Sequence, residues 1–133
     1  MSQKNIKNII FDWQGVLSKG GVINEEIIDW IKNNKDYGYG ILTNYPADFE
    51  VILSDLKIKS LFKAVISPTD GVSKPNPEAY FKVLKEMESD ATESLFTDDS
   101  FINVKAARKI GMETVLYEDN RQFFERLKEK IND

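Results

Sequence analysis

The sequence predicts an α/β protein with a doubly wound, Rossmann-like parallel sheet of about five strands and helices on both faces. Five short apolar runs bounded by polar residues indicate the strands, because strands covered on both faces are apolar throughout. Segments with helical periodicity separate these runs, which favours parallel strands joined by helical crossovers. The chain has 133 residues, so we expect one domain spanning residues 1–133.

The predicted strands are runs too short for helices, at residues 9–11, 39–42, 64–66, 95–97 and 114–117. Helical periodicity places five helices between and after them. The apolar positions of these helices are Ile27, Ile28 and Ile31; Phe49, Ile52, Leu53 and Leu56; Tyr80, Phe81, Leu84 and Met87; Ile102, Ala106 and Ile110; and Phe123, Phe124, Leu127 and Ile131. Residues typical of helix ends agree, with N-cap candidates at Asn24, Asn76, Ser100 and Asp119 and a stop at Gly111.

The composition excludes several kinds of function. With no cysteine and no histidine, a cysteine nucleophile, a Ser-His-Asp triad and a Cys/His zinc site are all ruled out. Carboxylates, hydroxyls, lysines and oxygen-preferring ions such as magnesium remain. The 18 Lys and Arg and 22 Asp and Glu give a net charge of −4 without a long basic run, so nucleic acid is not an expected partner.

No membrane association is expected from the hydrophobic pattern. No apolar run approaches the roughly 18 residues of a membrane span, and the opening residues MSQKNIKN lack the apolar core of a secretory signal. We therefore expect a cytoplasmic protein.

Polar residues that can carry chemistry follow the predicted strands or lie in the next loop. They are Asp12, Thr43, Asn44, Lys74, Asp98 and Asp99. Singly, each has a simpler explanation: Asp and Asn favour turns, and Thr43 is a candidate cap for a helix beginning near Pro46. Together at one sheet edge, the carboxylates would repel one another unless a cation lay among them. The set therefore predicts a divalent metal ion and a phosphate group near Lys74.

Four segments, in order along the chain, resemble the motifs of the haloacid dehalogenase-like superfamily. Residues 9–17 (IIFDWQGVL) resemble the nucleophile motif, and residues 41–44 (ILTN) resemble the phosphate-binding motif. Residues 73–80 (SKPNPEAY) are similar to the lysine motif, and residues 95–112 are similar to the acidic metal motif. The resemblance spans most of the chain and implies a small hydrolase of this fold.

The resemblance also implies a role for each residue. Asp12 would attack phosphorus to form an aspartyl-phosphate, while its other oxygen, the Gln14 carbonyl and Asp98 would hold Mg²⁺. Asp99 would either hold the Lys74 ammonium in place or reach the metal through water. For the substrate, Thr43 and Asn44 of the second motif and Lys74 would bind the phosphoryl group.

Gln14 departs from the family pattern, in which phosphatases carry an acid/base aspartate at this position. A carboxamide cannot exchange protons near neutral pH, and general acid-base catalysis contributes roughly 100- to 10,000-fold in rate. We therefore expect a slow magnesium-dependent phosphohydrolase. The alternative is a catalytically impaired domain that uses the same site for phosphate binding or for regulatory protein interaction.

No cap domain is expected, because the 31 positions from Asp12 to Thr43 hold only a flap-like segment, residues 13–22, and one helix. An open site admits a phosphorylated small molecule or macromolecule, or takes a neighbouring subunit as its lid. Trp13, beside the nucleophile, is expected either to stack on a substrate or to pack in the core.

Overall fold

The computed structural model describes residues 5–131, so the first four and last two residues of the predicted domain lie outside the described residues. The strands are β1 (Asn8–Phe11), β2 (Ser18–Lys19), β3 (Val22–Ile23), β4 (Gly38–Leu42), β5 (Ala64–Ile66), β6 (Ser94–Asp98) and β7 (Glu113–Leu116). The helices are α1 (Glu25–Lys32), α2 (Phe49–Asp55), α3 (Pro77–Met87), α4 (Phe101–Lys109) and α5 (Asn120–Ile131).

Five parallel strands form the main sheet in the order β5-β4-β1-β6-β7, which confirms the predicted doubly wound architecture. The strand order reverses at β1, which pairs with β4 on one side and β6 on the other. A reversal of this kind leaves a crevice beyond the carboxyl ends of the strands. The five predicted strands are confirmed to within one residue at each end, and β6 extends to include Asp98.

Helices cover both faces of this sheet. Successive strand residues point to opposite faces, so each strand contributes side chains to two cores. Phe11 and Ile41 face a core shared with α1, α2 and α5. Ile10 and Phe96 face a second core shared with α3 and α4. The site residues that follow these strands are therefore held between two rigid layers of side chains.

The predicted N-caps at Asn24, Asn76, Ser100 and Asp119 are all confirmed by side-chain hydrogen bonds to the first turn of each helix. The suggestion that Thr43 caps a helix is wrong. Helix α2 begins at Phe49, and Asp48 accepts the hydrogen bond from the Val51 backbone at 3.3 Å. Thr43 lies next to the end of β4, five residues too early for that role.

Three of the apolar positions in the predicted helical patterns are exposed: Leu56, Phe81 and Ile102. On α3, Tyr80 and Val83 point into the core, so Phe81, one residue further along the helix, is turned away. On α4, the buried stripe is Val104 and Ala107 rather than the one containing Ile102. The sheet contacts only one stripe of each helix, and the apolar pattern alone did not identify it.

A two-stranded hairpin of β2 and β3 forms the flap-like segment between β1 and α1. In residues 5–131, neither this connection nor the one from β5 to Lys74 contains a separately folded cap, as predicted. No helix in this part of the chain combines the length and apolar character required to cross a membrane.

Candidate active site

A cleft of about 560 Å³ opens beyond the carboxyl ends of β1, β4 and β6. Seven residues predicted for the site line it: Asp12, Gln14, Thr43, Asn44, Lys74, Asp98 and Asp99. They meet because parallel strands end at the same edge of a sheet and the strand order reverses beside β1. Asp12, Thr43, Lys74 and Asp98 are buried in the floor of the cleft.

Trp13 is the predicted site residue that the fold does not bring into the cleft. Its side chain is buried in the core, where its ring meets that of Phe49 edge-on with 5.4 Å between centroids. Of the two roles considered for Trp13, this geometry favours core packing over contact with a substrate.

The ammonium group of Lys74 lies between two carboxylates. Its Nζ donates to Asp12 Oδ1 at 2.8 Å and to Asp98 Oδ2 at 2.7 Å, and the side chain is only 1% exposed. A charge buried this deeply is stable only when paired and hydrogen-bonded. Lys74 therefore orients one oxygen of Asp12 and leaves the other oxygen for chemistry.

Asp98 is the aspartate that holds the Lys74 ammonium. Besides Lys74, it accepts hydrogen bonds from Asn103 Nδ2 at 3.0 Å and from the Ser100 backbone N–H at 2.9 Å. The role of ammonium holder suggested for Asp99 is therefore filled by Asp98. Asn103 was not among the predicted site residues. Its position on the first turn of α4, five residues after Asp98, is the sequence signal that could have identified it.

Asp99 is more exposed and lies against the flap. A Cβ added to Gly15, whose φ is +90°, would collide with the Asp99 carboxylate. Carboxylate oxygens of Asp12, Asp98 and Asp99 also lie within 4.8 Å of one another. Gly15 thus leaves room for a third carboxylate beside the two that Lys74 bridges.

Substituting Gly15 by alanine is expected to weaken Mg²⁺ binding by roughly tenfold or more, because the new methyl group would displace the Asp99 carboxylate. Isothermal titration calorimetry measures this effect. Gly71→Ala is the matched control, since Gly71 has a similar φ of +83° but open space around it. Both variants should lose about 1 kcal/mol of unfolding free energy from backbone strain. Equal Mg²⁺ affinity in the two variants would contradict the placement of Asp99.

Thr43 and Asn44 follow the end of β4, and Asn44 links it to the loop that carries Lys74. Thr43 is buried, and its Oγ1 accepts the Tyr45 backbone N–H at 3.0 Å, so the hydroxyl proton remains to be donated. Asn44 donates to the Lys74 carbonyl at 2.9 Å and accepts from the Lys74 N–H at 2.8 Å. The side-chain amide of Asn44 therefore holds the Lys74 backbone in place. Asn44 also lines the cleft, and its contact with a substrate stays a prediction.

The electrostatics of the cleft favour a cation. Burial raises the pKa of Asp12 to about 7, with the charge of Asp98 adding to the rise and Lys74 opposing it. Partial burial, a hydrogen bond with Asp98 and the charge of Asp98 also raise the pKa of Asp99. One ammonium group therefore compensates the three carboxylates incompletely. Three carboxylates form a set of hard oxygen donors of the kind that Mg²⁺ prefers, so these residues fit that ion.

Mg²⁺ binding is expected to release protons and to strengthen as the pH rises to about 7. Asp12 is protonated below its raised pKa of about 7, and a bound cation favours the charged form. The apparent affinity should therefore fall by up to roughly tenfold per pH unit below that pKa and level off above it. Calorimetry at pH 7 in buffers of different ionisation enthalpy measures the released protons. Asp12→Asn should remove this component, and an unchanged proton release in that variant would contradict the assignment.

Comparison with known proteins shows a family match over most of the chain. Residues 4–117 match the family model described as haloacid dehalogenase-like hydrolase. A sesquiterpene phosphatase of Aspergillus oryzae is 38% identical over 74 residues, which are 54% of this chain and 38% of that protein. A glyceraldehyde 3-phosphate phosphatase of Pyrococcus abyssi is 36% identical over 85 residues, which are 61% of this chain and 35% of that protein. The chain thus spans little more than a third of the length of these relatives.

The fold also matches solved structures. A haloacid dehalogenase family enzyme of Bacteroides thetaiotaomicron, crystallised with magnesium and inorganic phosphate, superposes with a TM-score of 0.72 at 18% identity. The match covers 90% of this chain and all of that one. At this identity the likeness shows the shared fold.

Proposed function

The chain belongs to the haloacid dehalogenase-like hydrolases, and we propose that it is a magnesium-dependent phosphohydrolase that forms an aspartyl-phosphate on Asp12. One observation carries this proposal. Lys74 bridges Asp12 and Asp98 at the floor of a cleft that Thr43 also lines. A nucleophile, a fixed cation and a hydroxyl donor thus meet where a phosphoryl group would lie.

The carboxylate of Asp12 would act in two steps. Its oxygen not held by Lys74 attacks phosphorus, and the P–O bond to the leaving group breaks with the electron pair departing on that oxygen. Water then attacks phosphorus of the aspartyl-phosphate, the bond to Asp12 breaks, and inorganic phosphate leaves. Lys74 and the Thr43 hydroxyl compensate the charge on the phosphoryl oxygens in both steps.

Mg²⁺ would be held by Asp12, the Gln14 carbonyl, Asp98 and Asp99, and when bound it would neutralise negative charge near the phosphoryl group. Because Asp98 already accepts hydrogen bonds from Lys74, Asn103 and Ser100, we propose Asp99 as the more direct carboxylate ligand beside Asp12.

Gln14 lines the cleft and is exposed, where family phosphatases have an acid/base aspartate. Its amide cannot protonate a leaving group or deprotonate the attacking water. We therefore propose slow turnover, with the least loss for leaving groups that are already stable anions, such as those of acyl phosphates.

Gln14 also favours the second candidate function, a domain that binds phosphate or a protein partner without turnover. This candidate keeps the Lys74 bridge and the carboxylates but predicts no phosphoenzyme. The two functions separate in one measurement, because only the first forms a covalent bond to Asp12.

We propose a phosphorylated small molecule as the substrate, in line with the names of the two phosphatase relatives. The cleft has no lid from residues 5–131, so a phosphorylated macromolecule or a lid supplied by a second subunit is also compatible with it. The cytoplasmic location and the absence of nucleic acid and membrane partners stay predictions of the sequence.

A panel of phosphate esters and acetyl phosphate, with Mg²⁺ and with EDTA, tests the proposal. We expect phosphate release that requires Mg²⁺, together with a phosphorylated protein detected by intact-mass spectrometry. Binding of Mg²⁺ and phosphate without either signal would support the second function instead.

A further inference from the structure

Tyr45 forms an apolar wall of the cleft beside the residues that would bind phosphate. It lines the cleft, is 39% exposed, and precedes Pro46, which also lines it. Its backbone N–H donates to Thr43 Oγ1 at 3.0 Å. Tyr45 thus follows by two positions in the chain Thr43, whose hydroxyl would contact the phosphoryl group.

The ring of Tyr45 is held in place by a chain of aromatic contacts. It meets the Phe49 ring at 78° with 6.3 Å between centroids, and Phe49 meets Trp13 at 84° with 5.4 Å between centroids. Trp13 directly follows Asp12 in the chain. A ring fixed by its neighbours loses little conformational freedom when another ring stacks on it.

Three polar side chains that line the cleft, those of Asn44, Ser100 and Asn103, make contacts within the protein. The Asn44 amide bonds the Lys74 backbone, and Asn103 Nδ2 bonds Asp98. Ser100 Oγ accepts the Asn103 backbone N–H at 3.4 Å. The Ser100 hydroxyl can still donate a hydrogen bond, and the side chains of Gln14 and Lys19 also line the cleft. A preference for an aromatic group therefore rests on the exposed Tyr45 ring and on the chemistry of Gln14.

The chemistry of Gln14 also favours an aromatic leaving group. Without a general acid, an ester whose leaving oxygen is stabilised by an aromatic ring loses less rate than an ester of an aliphatic alcohol. We infer that the cleft selects phosphate esters with an aromatic leaving group, which stacks on Tyr45. This inference rests on the proposed function and names its substrate class.

Binding tests the inference without turnover. In the presence of Mg²⁺, phenylphosphonate should bind roughly 2- to 10-fold more tightly than methylphosphonate, as measured by calorimetry. Tyr45→Ala should remove this difference, whereas Tyr45→Phe, which keeps the ring, should retain it. Phe81→Ala is the matched control, because Phe81 is an exposed aromatic on α3 outside the cleft. Equal affinities of the unmodified sequence for the two phosphonates would overturn the inference.

Turnover separates this inference from the proposed function. The ratio of kcat/KM for 1-naphthyl phosphate over phenyl phosphate should exceed one, since the leaving groups are similar in acidity but differ in ring area. That ratio should fall towards one in Tyr45→Ala, and glycerol phosphate should be the poorest substrate. Turnover with no aromatic preference would overturn the inference alone. Aromatic discrimination in binding with no turnover would overturn the proposed function and leave the ligand preference standing.

Discussion

Replacing Asp12 by asparagine should abolish phosphate release, lowering turnover by roughly 10,000-fold or more. The asparagine amide has nearly the size of the carboxylate but no anionic oxygen with which to attack phosphorus. Intact-mass spectrometry should detect no phosphorylated protein after mixing Asp12→Asn with acetyl phosphate and Mg²⁺. The unmodified sequence should gain one phosphoryl group under the same conditions.

The Asp12→Asn variant should remain folded, so that the loss reports chemistry. Lys74 retains its bond to Asp98, and the variant removes a carboxylate whose ionised form is disfavoured by burial. A raised carboxyl pKa contributes stability below pH 4 that is lost as the pH rises through about 7. Urea unfolding at neutral pH should therefore show no large loss of unfolding free energy.

Asp29→Asn makes the same chemical change on the exposed side of α1 and should keep turnover at the level of the unmodified sequence. Phosphorylation that persisted in Asp12→Asn would place the nucleophile elsewhere and refute the mechanism.

Replacing Gln14 by aspartate should raise steady-state hydrolysis by roughly 100- to 10,000-fold. The carboxyl group can protonate the leaving oxygen and then accept the proton of the attacking water, which the amide cannot do. The phosphorylated form should accumulate with Gln14 present, because its hydrolysis lacks a base, and should not accumulate in Gln14→Asp. Gln14 is exposed in the cleft, so the shorter side chain requires no repacking.

Gln14→Asn is the matched control, since it shortens the side chain equally and keeps the amide. Its turnover should not rise. If Gln14→Asp also gave no gain, more than one part of the machinery would be missing, and the phosphate-binding or regulatory function would be favoured.

Local signals account for how much of the fold was predicted. Apolar runs identified the five strands of the sheet. The caps at Asn24 and Asp119 accept hydrogen bonds from backbone groups three residues further along the chain, so the sequence alone revealed them. The suggestion that Thr43 caps a helix near Pro46 was wrong, because a residue of the right type does not show where the helix begins, and Asp48 caps it instead. Phe81 belongs to the apolar pattern of its helix but is exposed, because the side of a helix that is buried depends on where the sheet lies.

The candidate site was also predicted in part. Asp12, Thr43, Lys74 and Asp98 were expected to converge, since parallel strands carry the residues that follow them to one edge. Their pairing was not predictable from spacing. Asp98 and Asp99 are neighbours of the same type, and only their positions in space show that Asp98 bonds the Lys74 ammonium.

From the order of its residues alone, the chain could be recognised as a haloacid dehalogenase-like core with an α/β fold. Asp12, Lys74 and the acidic pair stand in the order of that family's motifs, and such motifs depend on neighbours along the chain. Tertiary structure was needed to show that Asn44 holds the Lys74 backbone and that Gly15 makes room for Asp99. It was also needed to show that Phe49 packs against both Trp13 and Tyr45. The physical reason is that hydrogen bonds and ring contacts act over a few ångströms between residues that lie far apart in the sequence.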